Sequence, residues 1–276
     1  MSVRIGRPAE AVGELVLDRP EALNAISTAQ AGAIISACRE LAADGGLSVV
    51  ILTSSSPKAF CVGADLKERN SFDDTRLASQ RPVFRRAFEA VLDLPVPTVA
   101  AVDGYALGGG FELALSCDLI VASRAAVLGL PETGVGLVPG GGGTQLLVRR
   151  VGSNRAADLI FTARQVGAEE ADRLGIVDRL VEAGEARAAA LEVAHQIASR
   201  SPIALRAAKR ALRRGSDLDL ESALVVENLA WEDAAYSVDR REGIAAFNER
   251  RAPHWRRDGA PSDPPGSSRR REGPDE

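Results

Sequence analysis

Cysteine is scarce in this chain. Cys38, Cys61 and Cys117 are the three among 276 residues, an odd number without CxxC spacing, which argues against both a disulfide framework and a zinc cluster. Histidine is scarcer still. His195 and His254 fall outside every glycine-bearing motif of the chain, as expected of surface or packing residues rather than a catalytic base. Cys61 has no histidine near it in sequence to activate a thiol nucleophile. Long apolar runs are missing too: no stretch of 18 apolar residues occurs, so no membrane-spanning helix is expected. The amino terminus lacks the basic start and apolar stretch of a secretory signal, which makes the cytoplasm the expected location. An excess of positive charge is also lacking, since 34 basic against 38 acidic side chains give a net charge of -4. Nucleic-acid binding, which rests on phosphate neutralisation, is therefore disfavoured. The basic patches at Arg149-Arg150, Arg206 to Arg214 and Arg269 to Arg271 read as solvated helix faces and a tail.

What is present suffices for a sizeable core, with 45% hydrophobic residues. Val3/Ile5 and Leu15/Leu17 alternate with polar residues on either side of Pro8 to Gly13, which predicts a hairpin at a sheet edge. Ser27-Thr28-Ala29-Gln30 resembles a capping box ahead of apolar residues at helical spacing, so a helix is expected over 28–43. Val49-Val50-Ile51-Leu52 reads as a strand buried on both faces. The strand-then-helix pattern recurs at 98–102 and 109–116, and again at 118–122 and 143–150, implying stacked β-α units. Beyond residue 154 the strand signal almost vanishes. Helical patterns follow at 155–162, 169–174, 185–199, 202–213, 218–235 and 240–251. The expected organisation is an α/β core over 1–200, a helical region over 201–258 that mediates oligomerisation, and a tail over 259–276. Apart from proline, the tail's one apolar side chain is Ala260, so it cannot offset its ordering entropy and is expected to be disordered.

Three glycine-bearing turns carry the chemistry. They are Gly63-Ala64-Asp65-Leu66, Gly108-Gly109-Gly110 just before Glu112, and Leu130-Pro131-Glu132 shortly before Gly140 to Gly143. The first amides of a helix lack intrahelical acceptors and lie at the positive end of its dipole. Two such ends aimed at one point would hold an anionic oxygen, and glycine lets a ligand approach the backbone closely. An isolated glycine turn is most simply a packing device, and a lone glutamate a surface charge. Neither glycine run has the GxGxxG pattern or the P-loop lysine of a nucleotide site.

The ordered set of turns, together with Asp18 to Ala25, Leu94 to Gly104 and Arg241 to Arg251, resembles the crotonase (enoyl-CoA hydratase/isomerase) superfamily from about Val3 to Trp255. The resemblance implies a spiral of β-β-α units with a helical C-terminal region. It also implies an acyl-CoA thioester substrate whose carbonyl is polarised by the backbone amides of Ala64 and Gly109. Glu112, as a carboxylate, would orient and help deprotonate a water that adds to the acyl β-carbon, and Glu132 would protonate the α-carbon. Lys58, Ala59, Phe60, Val62, Asp65 and Leu66 would receive the CoA moiety, largely through backbone contacts, with Ala22 and Leu23 bordering the pantetheine. Phe247 and Arg250 would approach the CoA of their own or a neighbouring subunit in a homotrimer or homohexamer. Hydration is redox-neutral, so no cofactor beyond the CoA of the substrate, and no metal, is implied. The run from Gly63 to Arg69 and the four glycines at 140 to 143 are similar to the methylglutaconyl-CoA hydratase-like members, which implies a short or branched acyl group. Residues 69–86, leading from the first turn into an amphipathic helix, are where the acyl group would be read. Two other functions stay open: a Δ3,Δ2-enoyl-CoA isomerase using Glu132 alone, and an RNA-binding or scaffolding crotonase of low activity.

Overall fold

The computed structural model describes residues 2–257; the expected tail at 259–276 lies outside them. The chain forms two compact units, one ending at Ser199 and the other beginning at Arg200.

In the first unit β1 (Val3–Ala9) and β2 (Val12–Leu17) pair antiparallel, with β1 at the sheet edge. The alternation expected of β2 is not matched by its exposure: all six of its residues are buried. Strands flank it on both sides and apolar layers cover both faces, Leu15 and Leu17 facing one and Val12 the other. The polar member of the strand, Glu14, is buried with partners, accepting from Arg187 at 2.7 and 2.9 Å and from Thr53 Oγ1 at 3.0 Å. Helix α1 (Thr28–Ala43) is capped by Ser27, whose Oγ accepts from the Gln30 amide at 3.2 Å.

β3 (Val49–Ser54) runs parallel to β2 and shows why its first four residues are all apolar. Val50 and Leu52 enter one core, Val49 and Ile51 the other. The chain then leaves the large sheet for a short strand, β4 (Ala59–Cys61), followed by α2 (Leu66–Arg69) and α3 (Asp74–Leu92). The same excursion repeats through β5 (Thr98–Val102), β6 (Tyr105–Leu107) and α4 (Gly109–Leu115). It repeats again through β7 (Leu119–Ser123), β8 (Val127–Gly129), a 3-10 turn at Pro131–Val135 and α5 (Gly143–Val151). Next come α6 (Ser153–Thr162), β9 (Gln165–Gly167), α7 (Ala168–Leu174), β10 (Arg179–Val181) and α8 (Ala186–Ala198). The six-stranded sheet has the order β1-β2-β3-β5-β7-β10, and the four-stranded sheet β4-β6-β8-β9. Each of these turns of the spiral thus gives one strand to each sheet before its helical segment, the β-β-α architecture the resemblance implies. The strand signal almost vanishes beyond residue 154, yet β9 and β10 lie there; they are three residues each and too short to display a period of two.

The second unit holds α9 (Pro202–Gly215), α10 (Leu220–Ala235) and α11 (Val238–Glu249), with α9 packed on α10. Ser201, Asp219 and Ser237 cap them through side-chain oxygens. Ser201 Oγ also donates to the buried Asp239 at 2.6 Å.

Candidate active site

The path from β4 into α2 is held from the opening motif. Val62 donates to Leu23 O, Ile26 to Gly63 O at 2.7 Å, and Asp65 to Ile26 O at 2.9 Å. Asn24, fully buried at φ 56°, secures this crossing by donating to Phe60 O at 3.0 Å and Ser54 Oγ at 2.7 Å. Gly63 has φ +88°, and a Cβ there would lie 2.8 Å from Leu107 O and 3.1 Å from the Gly109 nitrogen. A Cβ on Gly110 would fall 2.0 Å from Cys61 O. The turn opening α2 and the turn opening α4 are therefore packed backbone to backbone, a contact only glycine permits. Among the described residues neither the Ala64 nor the Gly109 amide has a protein acceptor. Two amides without protein acceptors are what the oxyanion-type pair expected from the motifs requires.

Glu112 sits in the first turn of α4 and is 3% exposed. Its Oε1 accepts from the Gly141 amide at 2.6 Å and the Gly143 amide at 2.8 Å. This explains the glycine run at 140 to 143, to which the sequence alone assigned no chemistry. A Cβ on Gly143 would stand 2.9 Å from that oxygen, and one on Gly141 would meet the Phe88 ring at 2.6 Å. Burial pushes the Glu112 carboxyl above the usual range, while the Gly143 and Gly141 amides and the positive charge of Arg81 oppose the shift.

Glu132 comes from the 3-10 turn after β8 and is half-buried. Its Oε1 lies 3.0 Å from where a Cβ on Gly108 would be, so it reaches the entrance of α4, and its Oε2 is buried with no protein partner among the described residues. Burial raises its pKa to about 7, and the charge of Glu112 adds to the rise. A carboxyl so placed is available as an acid at neutral pH.

Ala64, Gly109, Glu112 and Glu132 all line one cavity of about 690 Å³. Leu77, Phe84, Phe88 and Val138 give it apolar walls, and Arg69 and Arg81 stand in them. Among the residues expected to meet CoA, Val62 and Leu66 line this cavity. Ala59 and Phe60 are fully buried in β4, and the Lys58 carbonyl lies under Gly104, where a Cβ would come within 2.1 Å of it. Asp65 caps α2 by accepting from Glu68 N at 3.2 Å and pairs with Arg19 at 3.2 Å. Ala22 ends the 3-10 turn Pro20–Ala22, and Leu23 follows it with φ 50°. Phe247, 82% exposed, and Arg250, at the left-handed cap of α11, belong to the second unit. His195 and His254 are exposed. Cys61 is fully buried with its thiol pushed up to about 12 by burial, which leaves no thiolate at neutral pH.

Phe88 was not legible as a site residue, and Arg81 only as one position of the stretch 69–86. They share no motif with the glutamates and arrive through packing of α3.

A β-β-α spiral whose adjoining glycine turns meet at one cavity is the architecture of the crotonase superfamily. The family described as "Enoyl-CoA hydratase/isomerase" matches residues 7–258, and the chain belongs to that family. It is similar to enoyl-CoA hydratase domain-containing protein 2, mitochondrial, of Mus musculus, at 40% identity over 252 residues, spanning 90% of this chain and 85% of that protein. It also resembles the mouse mitochondrial methylglutaconyl-CoA hydratase, at 37% identity over 246 residues, 88% of this chain and 78% of that one. Among solved structures, the enoyl-CoA hydratase from Bacillus anthracis superposes with a TM-score of 0.91 at 38% identity, over 94% of this chain and all of that chain.

Proposed function

We propose that the protein is an enoyl-CoA hydratase that adds water reversibly across the 2,3 double bond of a short or branched 2-enoyl-CoA. The observation that carries this reading is the convergence of Glu112 and Glu132 on a cavity that also presents the Ala64 and Gly109 amides. The thioester oxygen accepts from the two amides, which stabilise the enolate-like charge as it builds. Glu112, as carboxylate, takes a proton from water while the water oxygen bonds to C3. Glu132, as acid, delivers a proton to C2. Dehydration reverses both transfers. The reactive form in either direction therefore carries one proton on the pair, and the titration belongs to the pair. The chemistry is redox-neutral, and the two carboxyls account for every proton moved. The hydratases to which the chain is similar support the same reading.

Retention of Glu112, tethered by two amides inside the cavity, favours hydration over an isomerisation that needs Glu132 alone. The discriminating assay supplies purified protein with (E)-2-enoyl-CoA and (Z)-3-enoyl-CoA thioesters. Hydration lowers the conjugated-enoyl absorbance of the former, whereas an isomerase raises it from the latter. Loss of absorbance with the 2-enoyl series is expected. A protein that acts on the 3-enoyl series alone would contradict the proposal.

A further inference from the structure

The Ala64 amide is aimed by a short parallel β-bridge between Ile26 and Ala64. Ile26 donates to Gly63 O at 2.7 Å and its carbonyl accepts from the Asp65 amide at 2.9 Å, so the groups on either side of Ala64 are engaged along one edge of the chain. In such a ladder the N–H of the intervening residue points to the opposite edge. That N–H is the one without a protein acceptor among the described residues, and Ala64 lines the cavity. Arg19 closes the bridge from outside. Its Nη1 donates to Ala25 O at 2.8 Å and its Nη2 to Asp65 Oδ2 at 3.2 Å, the residue before Ile26 and the residue after Ala64. One planar guanidinium thus ties both chains of the bridge. The arginine is itself fixed by backbone: its amide donates to Asn24 Oδ1 at 2.7 Å and its carbonyl accepts from the Asn24 amide at 2.9 Å. The other oxygen of Asp65 accepts from the Glu68 amide at 3.2 Å, which joins the start of α2 to the same unit. Burial raises the Asp65 carboxyl, but the Glu68 amide and Arg19 outweigh it and hold the group below the usual carboxylate range. Neither Arg19 nor Asp65 is among the described residues that line the cavity.

We propose that Arg19 is a positioning residue: by tying Ala25 to Asp65 it fixes the Ile26–Ala64 bridge, and with it the direction in which the Ala64 N–H meets the thioester oxygen. The proposal rests on the oxyanion reading of that amide, and on the hydratase reading only for its effect on turnover. The fork of donors is what the position needs, since two acceptors on two chains must be held at once; the single ammonium of lysine is a point charge on a flexible stem. The partner amide needs no such device. Gly109 is placed by the next residue, Gly110, which packs backbone to backbone on Cys61.

The test reads the carbonyl itself. Butanoyl-CoA has no double bond to hydrate; with a heavy-carbon label at the thioester carbonyl, infrared difference spectra give its C=O stretch free and bound, and calorimetry gives its Kd. In the wild type the stretch should move to lower wavenumber on binding, the direction expected when amides donate to the oxygen. Arg19→Met should lose most of that displacement and lower kcat for crotonyl-CoA about tenfold or more, with Kd for butanoyl-CoA within about threefold of the wild type. Arg19→Lys should show the same losses in smaller measure, and it carries the test if circular dichroism finds Arg19→Met unfolded. Arg4→Met, which removes the neighbouring surface pair with Asp18, should leave the stretch and kcat unchanged. A folded Arg19 variant with the full displacement would overturn the proposal, as would a wild type with none. So would a raised Kd at unchanged displacement, the result expected if Arg19 or Asp65 serves CoA binding instead. A displacement that depends on Arg19, in a protein that hydrates no 2-enoyl thioester, would uphold the positioning role and overturn the hydratase reading.

Discussion

A carboxyl whose pKa lies near 7 is half-protonated at neutral pH, and Glu132 is such a group because it is largely buried and faces Glu112. Since the singly protonated pair is the reactive form, kcat/KM for hydration should fall as pH rises through about 7. Water addition consumes no net proton, so kcat/KM for dehydration must fall in parallel; a pH profile of hydration checks the fall, and a kcat/KM that stays level across pH 7 would remove Glu132 from its role. The same group makes a stability prediction. Its folded pKa is raised above the ordinary 4.5, so its favourable contribution is present below about 4.5 and lost as pH rises through about 7. Glu132→Gln, which stays neutral, should therefore gain thermal stability relative to the wild type between pH 5 and pH 8, measured by melting at both. At this scale the sequence was informative where chemistry is local: Ala64, Gly109 and Glu112 lie on the turns that display them. It was silent where contact is distant. Glu112 is 29 and 31 residues from the amides that hold it, and no spacing rule reports such a bond.

Elements meet most tightly where α4 crosses β4. Gly110→Ala would drive a Cβ to 2.0 Å from Cys61 O and 2.5 Å from its carbonyl carbon, with no flexible side-chain end able to yield. A loss of about 3 kcal/mol in urea denaturation, with loss of activity as the oxyanion turns separate, is the expected outcome. Gly32→Ala makes the contrast: Gly32 lies inside α1 with nothing within 4 Å of an added Cβ, so a gain of roughly 0.5–1 kcal/mol is expected. If Gly110→Ala were as stable as the wild type, the close crossing of the two elements would be wrong. Helices were legible because capping residues and 3.6-residue spacing mark them; the Ser27 cap is an example. β4, β6, β8 and β9 were not, because three residues cannot show a period and their pairing is set by the strands of the large sheet that precede them.

The whole molecule presents apolar side chains that one copy of the chain leaves in solvent. Leu220, Leu224, Val225, Leu229 and Trp231 on α10 are all exposed, more than a solvated helix needs. We expect a trimer or dimer of trimers, the number three coming from the family resemblance, and light scattering at micromolar protein should give that mass; a monomer would contradict it. The order of the longer strands and of most helices was readable from the chain, but the alternation of successive strands between two sheets depends on pairings that sequence spacing does not encode. The central claim is that the molecule brings two carboxyls and two amides together to hydrate a 2-enoyl-CoA. Its most direct test is the initial rate of crotonyl-CoA hydration by folded wild type, Glu112→Gln and Glu132→Gln proteins at neutral pH. The wild type should hydrate the thioester and each variant should lose about a hundredfold or more, the range for removing a positioned acid or base; a folded Glu112→Gln protein that keeps the full hydration rate would contradict the account.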